Sequence, residues 1–236
     1  MNHVFMNAVV SGNATVLATE DISELESLVM ESHGIPRVVS AEVFDRFSEN
    51  QRMMLMVKHG LYVFPTIELA DWLVAECCWQ SVMEIGAGNG ALAKHLGIRA
   101  TDNYSQAPDY RPDPKHQHLW LQGQEAMRQM GQAFVTYGDN VERREAMDAV
   151  IKHKPEVVYG LFITHKYRAG DKDGNVFGVE EDKILRRADY IMVGNAFTHR
   201  NKRILSLPHQ EHQLTGLITR SRDQELNRIW TWKKAK

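Results

Sequence analysis

Val82-Met83-Glu84-Ile85-Gly86-Ala87-Gly88-Asn89-Gly90-Ala91-Leu92 is the stretch that decides how the chain is read. A short apolar run carries an acid near its end, glycines follow at every second position, and a helix-forming segment, Ala91 to Leu96, begins at once. The pattern predicts strand, tight turn and helix. Glycine has no Cβ, so the backbone can turn sharply and pass close to a ligand. Free N–H groups at the start of the next helix favour a negatively charged or electron-rich group. A nucleotide-like ligand is therefore expected across this turn.

Two ligand classes fit such a turn. Gly86, Gly88 and Ala91 satisfy the dinucleotide fingerprint G-x-G-x-x-G/A, which keeps an NAD(P)- or FAD-binding oxidoreductase open. Taken with its acid, as Glu84-x-Gly86-x-Gly88-x-Gly90, the stretch more closely resembles motif I of the class I S-adenosylmethionine-dependent methyltransferases. Glu84 separates the two. At the end of a strand a carboxylate can act through water on a cationic amino-acid tail, whereas beside a pyrophosphate it repels. The resemblance implies S-adenosyl-L-methionine as cofactor, held by Glu84, Gly86, Gly88 and Gly90. It also implies a Rossmann-like α/β fold, a doubly wound, mostly parallel seven-stranded sheet with an antiparallel terminal strand.

Downstream, Gly97-Ile98-Arg99-Ala100-Thr101-Asp102 predicts a second strand ending in an acid. A carboxylate there can accept hydrogen bonds from both hydroxyls of a ribose, so Asp102 joins the cofactor residues under either reading. Residues 103–118 are too long for an ordinary strand-to-helix connection and read as a lid or substrate loop, with Tyr104 beside the cofactor. His116 and His118 have no third ligand nearby, and no metal site is expected. Phe134-Val135-Thr136-Tyr137 reads as the third strand, leading to Gly138-Asp139-Asn140 and a helix with Ala149 and Val150. The resemblance sets a polar residue after the third strand against the adenine amino group. Asp139 and Asn140 are the candidates, though both also suit a turn and helix cap.

Val157 to Ile163 is the clearest buried strand, and it delivers Thr164-His165-Lys166-Tyr167 to the carboxyl edge of the sheet. Base-amino methyltransferases carry an Asp/Asn/Ser-Pro-Pro-aromatic tetrad at this place. Only Tyr167 matches; both prolines are absent, which counts against an adenine- or cytosine-amino acceptor. His165 has an ordinary pKa near working pH and is a candidate general base, and equally a structural histidine. His165 and Tyr167 are thus the catalytic candidates. Val179 to Arg187 predicts a helix and Asp189 to Asn195 the fifth strand. Leu217 to Ser221 and Asn227 to Trp232 predict two closing strands, similar to the antiparallel ending of class I methyltransferases and unlike most dehydrogenases.

Residues 1–60 read as an N-terminal helical extension, and the resemblance covers residues 61–236. Asp21-Ile22-Ser23-Glu24 has the pattern of a capping box, with Leu25, Leu28 and Val29 at helical spacing after it. A second helix is expected from near Ser40 to Gly60. Phe64-Pro65-Thr66, just before the glycine stretch, is similar to the aromatic-Thr-Pro segment that touches the cofactor in amino-group DNA methyltransferases, with the order changed. Thr66 is therefore a cofactor candidate as well as a plain helix start.

Composition bounds the rest. Hydrophobic residues make up 43% and charged residues 25%, the balance of a soluble globular protein. No run of about 18 apolar residues occurs, so no membrane span is expected. The first ten residues lack a basic lead and a long apolar core, unlike a secretory signal. Cys77 and Cys78 are the only cysteines and are adjacent, which leaves no disulfide framework and suits a reducing cytoplasm. Residues 1–50 hold eight acids against two arginines, and residues 183–236 twelve Lys or Arg against four acids. The basic part can attract phosphates or simply solvate an outer face. The expected function is methyl transfer to a small molecule, a nucleotide or a nucleic acid. A nicotinamide oxidoreductase and a non-catalytic S-adenosylmethionine-binding protein are the other readings.

Overall fold

The computed structural model describes residues 19–78, 80–164 and 178–234. The chain opens with α1 (Ser23–Val29), the small hairpin β1 (Met30–Ser32) and β2 (Ile35–Pro36), then α2 (Glu49–His59) and α3 (Ile67–Cys77). β3 (Val82–Ile85), α4 (Ala91–Leu96) and β4 (Arg99–Asp102) form the first βαβ unit. α5 (Gln117–Gln129), β5 (Val141–Arg143), α6 (Ala146–His153) and β6 (Val157–Leu161) follow. α7 (Glu181–Leu185), β7 (Asp189–Asn195), α8 (Ala196–His199), β8 (Gln210–His212) and β9 (Asn227–Trp232) complete the chain.

Seven strands form one sheet in the order β5-β4-β3-β6-β7-β9-β8. The first five are mutually parallel, and β9 runs antiparallel between β7 and β8. The order reverses at β3, so the switch point of this doubly wound sheet lies at the carboxyl ends of β3 and its neighbours. This is the Rossmann-like architecture that the sequence led us to expect.

The alternation of side chains explains why the sheet is covered on both faces. Along β6, β7 and β9, Tyr159, Ile191, Val193 and Ile229 pack with Leu69, Leu73 and Cys77 of α3. Val158, Tyr190, Met192, Trp230 and Trp232 point the other way, onto Ala149 and Val150 of α6 and Ile184 of α7. Strands buried on both sides are the mark of an α/β sheet. A third cluster joins Leu25, Val29, Phe44, Leu55 and Met56 to Leu61, Phe64 and Ile218. α2 within it starts at a reciprocal capping box of Ser48 and Gln51 and stops at Gly60, whose φ of 66° is left-handed. No helix among the described residues is long and apolar enough to cross a membrane.

Three expectations need correction. The third strand is β5, Val141–Arg143, paired through Ala100↔Val141 and Asp102↔Arg143, not Phe134–Tyr137. The 133–138 segment spends its backbone hydrogen bonds elsewhere: Ala133 N–H donates to Val57 O, Val135 N–H to Gln106 Oε1 and Gly138 N–H to Gly88 O. The first closing strand is β8, Gln210–His212, not Leu217–Ser221. That second segment instead lies along residues 62–64, with Phe64 N–H donating to Ile218 O and Arg220 N–H to Tyr62 O. Finally, Asp21 accepts the Ser23 N–H at 2.9 Å, but the helix begins there without the reciprocal bond of a capping box; that device is found at Ser48.

Candidate functional site

β3 ends at Ile85, and Gly86, Gly88 and Gly90 follow with φ of 60°, 55° and 65°. These are left-handed conformations, which an L side chain adopts at a cost of roughly 1–2 kcal/mol. Space adds a second requirement. A Cβ on Gly90 would stand 2.5 Å from Val141 Cγ2, so this glycine lets α4 start hard against β5. A Cβ on Gly86 would stand 3.0 Å from Ile163 Cδ1, so the side chain after β6 closes directly over the turn. The turn is tied to the next strand by Ala87 N–H donating to Thr101 O at 3.0 Å and Gly88 N–H donating to Asp102 Oδ2 at 3.0 Å.

A continuous cavity of about 830 Å³ opens over this turn. Glu84, Gly86, Gly88 and Asp102 line it, so four of the residues singled out by sequence meet in one place. Glu84 is only 1% exposed, and Tyr159 on β6 donates to its Oε2 at 3.2 Å. Burial pushes its pKa up to about 8, against the pull of the Tyr159 hydroxyl and the Ala93 backbone. Near neutral pH this carboxyl therefore sits close to its titration point. Asp102 accepts from Gly88 N–H and, through Oδ1, from Tyr104 N–H at 2.7 Å. Burial raises its pKa and these two amides oppose the rise. A carboxylate offers about four acceptor sites, so two remain for other donors.

The other predicted residues are placed differently. Gly90 is the N-cap of α4 and serves the turn rather than the cavity wall. Asp139 and Asn140 precede β5 and do not line the cavity; Asn140 Nδ2 donates to Gly90 O at 3.0 Å. Because the strand starts at Val141, the residues leaving its carboxyl end are Arg144 to Met147, and these do line the cavity. Thr66 is fully buried as the N-cap of α3, accepting from Leu69 N–H, while its neighbour Pro65 reaches the wall. Tyr104 packs behind the cavity: its ring stacks on Tyr137, centroids 3.9 Å apart, and its hydroxyl donates to Val141 O. Tyr137 takes the place at the wall. His165 and Tyr167 lie outside the described residues.

Two groups that sequence reasoning missed complete the walls. The first follows β6. Phe162 holds a left-handed φ of 55°, uncommon for a residue with a side chain, pinned by its N–H donating to Val193 O at 2.7 Å. Its ring lies between Tyr62, 6.2 Å away, and the buried His199, 4.8 Å away. Burial, and then the charge of Lys202, lowers the His199 pKa to about 4, so this imidazole is neutral. The second group is α5, whose Leu119, Trp120, Gly123, Gln124 and Met127 form one wall, with His116 just before the helix. Trp120 Nε1 donates to Ser105 O at 2.9 Å, anchoring the helix to the loop after Asp102. The signal was present: Leu119, Trp120, Gly123 and Met127 recur at helical spacing after an Asp113-Pro114 start.

No family model matches the chain, and no curated protein matches it. Solved structures do align. An rRNA methylase from Streptococcus thermophilus matches at 12% identity over 72% of this chain and 97% of its own, with a TM-score of 0.38. A putative methyltransferase complexed with SAH matches at 12% identity over 70% and 48% of the two chains, with a TM-score of 0.34. Mitomycin 7-O-methyltransferase matches at 13% identity over 83% and 61%, with a TM-score of 0.29. At these scores the alignments carry no weight for the site, whose reading rests on its own geometry.

Proposed function

We propose that this chain is an S-adenosylmethionine-dependent methyltransferase. One observation carries the reading: a buried carboxyl, a left-handed glycine turn and a second carboxylate on the neighbouring strand line a single cavity. S-adenosylmethionine, when bound, supplies an electrophilic methyl carbon. The chain supplies the rest. Gly86 and Gly88 let the backbone come close, Asp102 keeps acceptor sites for ribose hydroxyls, and Glu84 offers a carboxyl that can ionise towards a cationic amino-acid tail. Phe162 and Ile163 wall the end of β6, beside a displacement that depends on alignment and desolvation. The free, unbridged Cys77 and Cys78 agree with a cytoplasmic setting.

The oxidoreductase reading keeps the spacing of Gly86, Gly88 and Ala91 in its favour. Against it stands Glu84, an acid in the cavity lining two residues before the glycine turn that the dinucleotide fingerprint does not call for. Calorimetry with S-adenosylhomocysteine and with NAD⁺ separates the readings. We expect S-adenosylhomocysteine to bind, and Asp102→Ala and Gly88→Arg each to weaken it by about tenfold or more. Binding of NAD⁺ alone overturns the assignment. S-adenosylhomocysteine binding without its release from S-adenosylmethionine by any acceptor leaves the non-catalytic form.

A further inference from the structure

The α5 wall carries one feature that the fold does not use. Gln124 is 8% exposed, lines the cavity, and makes no side-chain hydrogen bond within the described residues. Its amide is not sealed from solvent, so its donors and acceptor are open to whatever enters the cavity. The cavity is also rich in aromatic side chains, with Tyr62, Tyr110, Trp120, Tyr137 and Phe162 in the lining. Acids outnumber bases in the lining, six against Lys115 and Arg144, but burial raises the pKa of Glu84, Asp102 and Glu145, Asp113 pairs with Lys115, and Glu180 pairs with Lys183.

We propose that the methyl acceptor is a neutral or cationic planar nitrogen heterocycle, and that Gln124 is a specificity-determining residue that hydrogen-bonds its polar edge. This rests on the methyltransferase reading. Aromatic walls favour a flat ring, which they can stack on or meet edge-on. Both cations of the lining are already paired with acids, so the cavity offers a phosphodiester backbone no unpaired Lys or Arg, and a nucleic-acid acceptor is disfavoured. An amide gives one acceptor and two donors, the complement of a carboxamide, a lactam or an amino-heterocycle edge. In the reaction the ring nitrogen's lone pair forms the new N–C bond while the electrons of the breaking C–S bond stay on sulfur. A proton on that nitrogen, where there is one, leaves to solvent or to a wall carboxylate such as Glu145 or Glu180.

The test uses protein saturated with S-adenosylhomocysteine and measures binding of nicotinamide, 2-aminoquinoline and cytosine. Nicotinate, the same ring as nicotinamide with a carboxylate in place of the amide, and a short single-stranded oligonucleotide serve as counter-probes. We expect at least one neutral probe to bind, nicotinate and the oligonucleotide to bind more weakly, and Gln124→Leu to weaken the neutral probe about tenfold with S-adenosylhomocysteine affinity unchanged. Leucine and glutamine have similar helix propensity, and retained S-adenosylhomocysteine binding reports that the variant is folded. Gln124→Asn, with its amide kept, should recover part of the loss. The inference is overturned if no neutral probe binds, if the anionic probes bind better, or if Gln124→Leu weakens S-adenosylhomocysteine instead, which makes Gln124 a cofactor contact. Failure of S-adenosylhomocysteine to bind the parent protein overturns the underlying reading as well.

Discussion

Glu84 is a carboxylic acid held where water hardly reaches, on a central strand beside the Tyr159 hydroxyl. Its pKa of about 8 in the fold, against 4.5 for a free side chain, has a consequence for stability. Between these values the folded chain holds a proton that the unfolded chain releases, so stability falls as pH rises through this window and levels off above it. The slope is at most about 1.4 kcal/mol per pH unit for one group. Glu84→Gln keeps an oxygen for Tyr159 and removes the titration. We expect urea denaturation from pH 5 to 8.5 to show the parent losing stability relative to Glu84→Gln, with the variant the more stable at the alkaline end. A constant difference across that range contradicts the assignment of this pKa. Ligand binding gives the same group a second readout: a cationic tail beside Glu84 should release a proton near neutral pH, seen as binding heat that depends on the buffer's ionisation enthalpy.

Among the elements, α7 and the turn after α8 are joined by a buried ion pair, Lys202 with Glu181, which also accepts from the Tyr190 hydroxyl at 3.2 Å. Burial raises the Glu181 pKa and lowers that of Lys202, while their mutual attraction opposes both shifts. Such a pair contributes little over an apolar replacement, but removing one partner strands the other. Lys202→Met should therefore cost about 3–5 kcal/mol, and Glu181→Gln in the same chain should restore most of it. Equal and additive losses in a double-mutant cycle argue that the two side chains are independent. The elements also mark where sequence reading stopped. β3, β6, β7 and β9 were legible because each is an apolar run buried on both faces. β5 and β8 were not: they are three-residue edge strands, Val141–Arg143 and Gln210–His212, with almost no apolar signal. Phe134–Tyr137 and Leu217–Ser221 have stronger strand composition but are drawn to the N-terminal layer, an outcome of tertiary packing that local propensity cannot report.

Across the whole molecule, the sheet brings the ends of β3, β4, β5 and β6 to one edge, and α5 and the segment at 178–180 bound the space above them. The glycine turn and Asp102 were readable from the local strand-turn-helix pattern, and Glu84 from the resemblance to motif I. Phe162, Ile163 and Gln124 were not, because their places at the cavity arise only when separate segments are folded against the turn. The acidic lining was equally hidden, since the chain as a whole carries a formal charge of only −2. The central claim is that this cavity receives an adenosyl group with its ribose at Asp102 and its amino-acid end towards Glu84. A crystal structure of the protein soaked with S-adenosylhomocysteine measures it most directly. We predict the ribose hydroxyls on the Asp102 carboxylate, the adenine beside the Arg144–Met147 segment and the sulfur near Phe162. A ligand bound elsewhere, or with its ribose away from Asp102, contradicts the account.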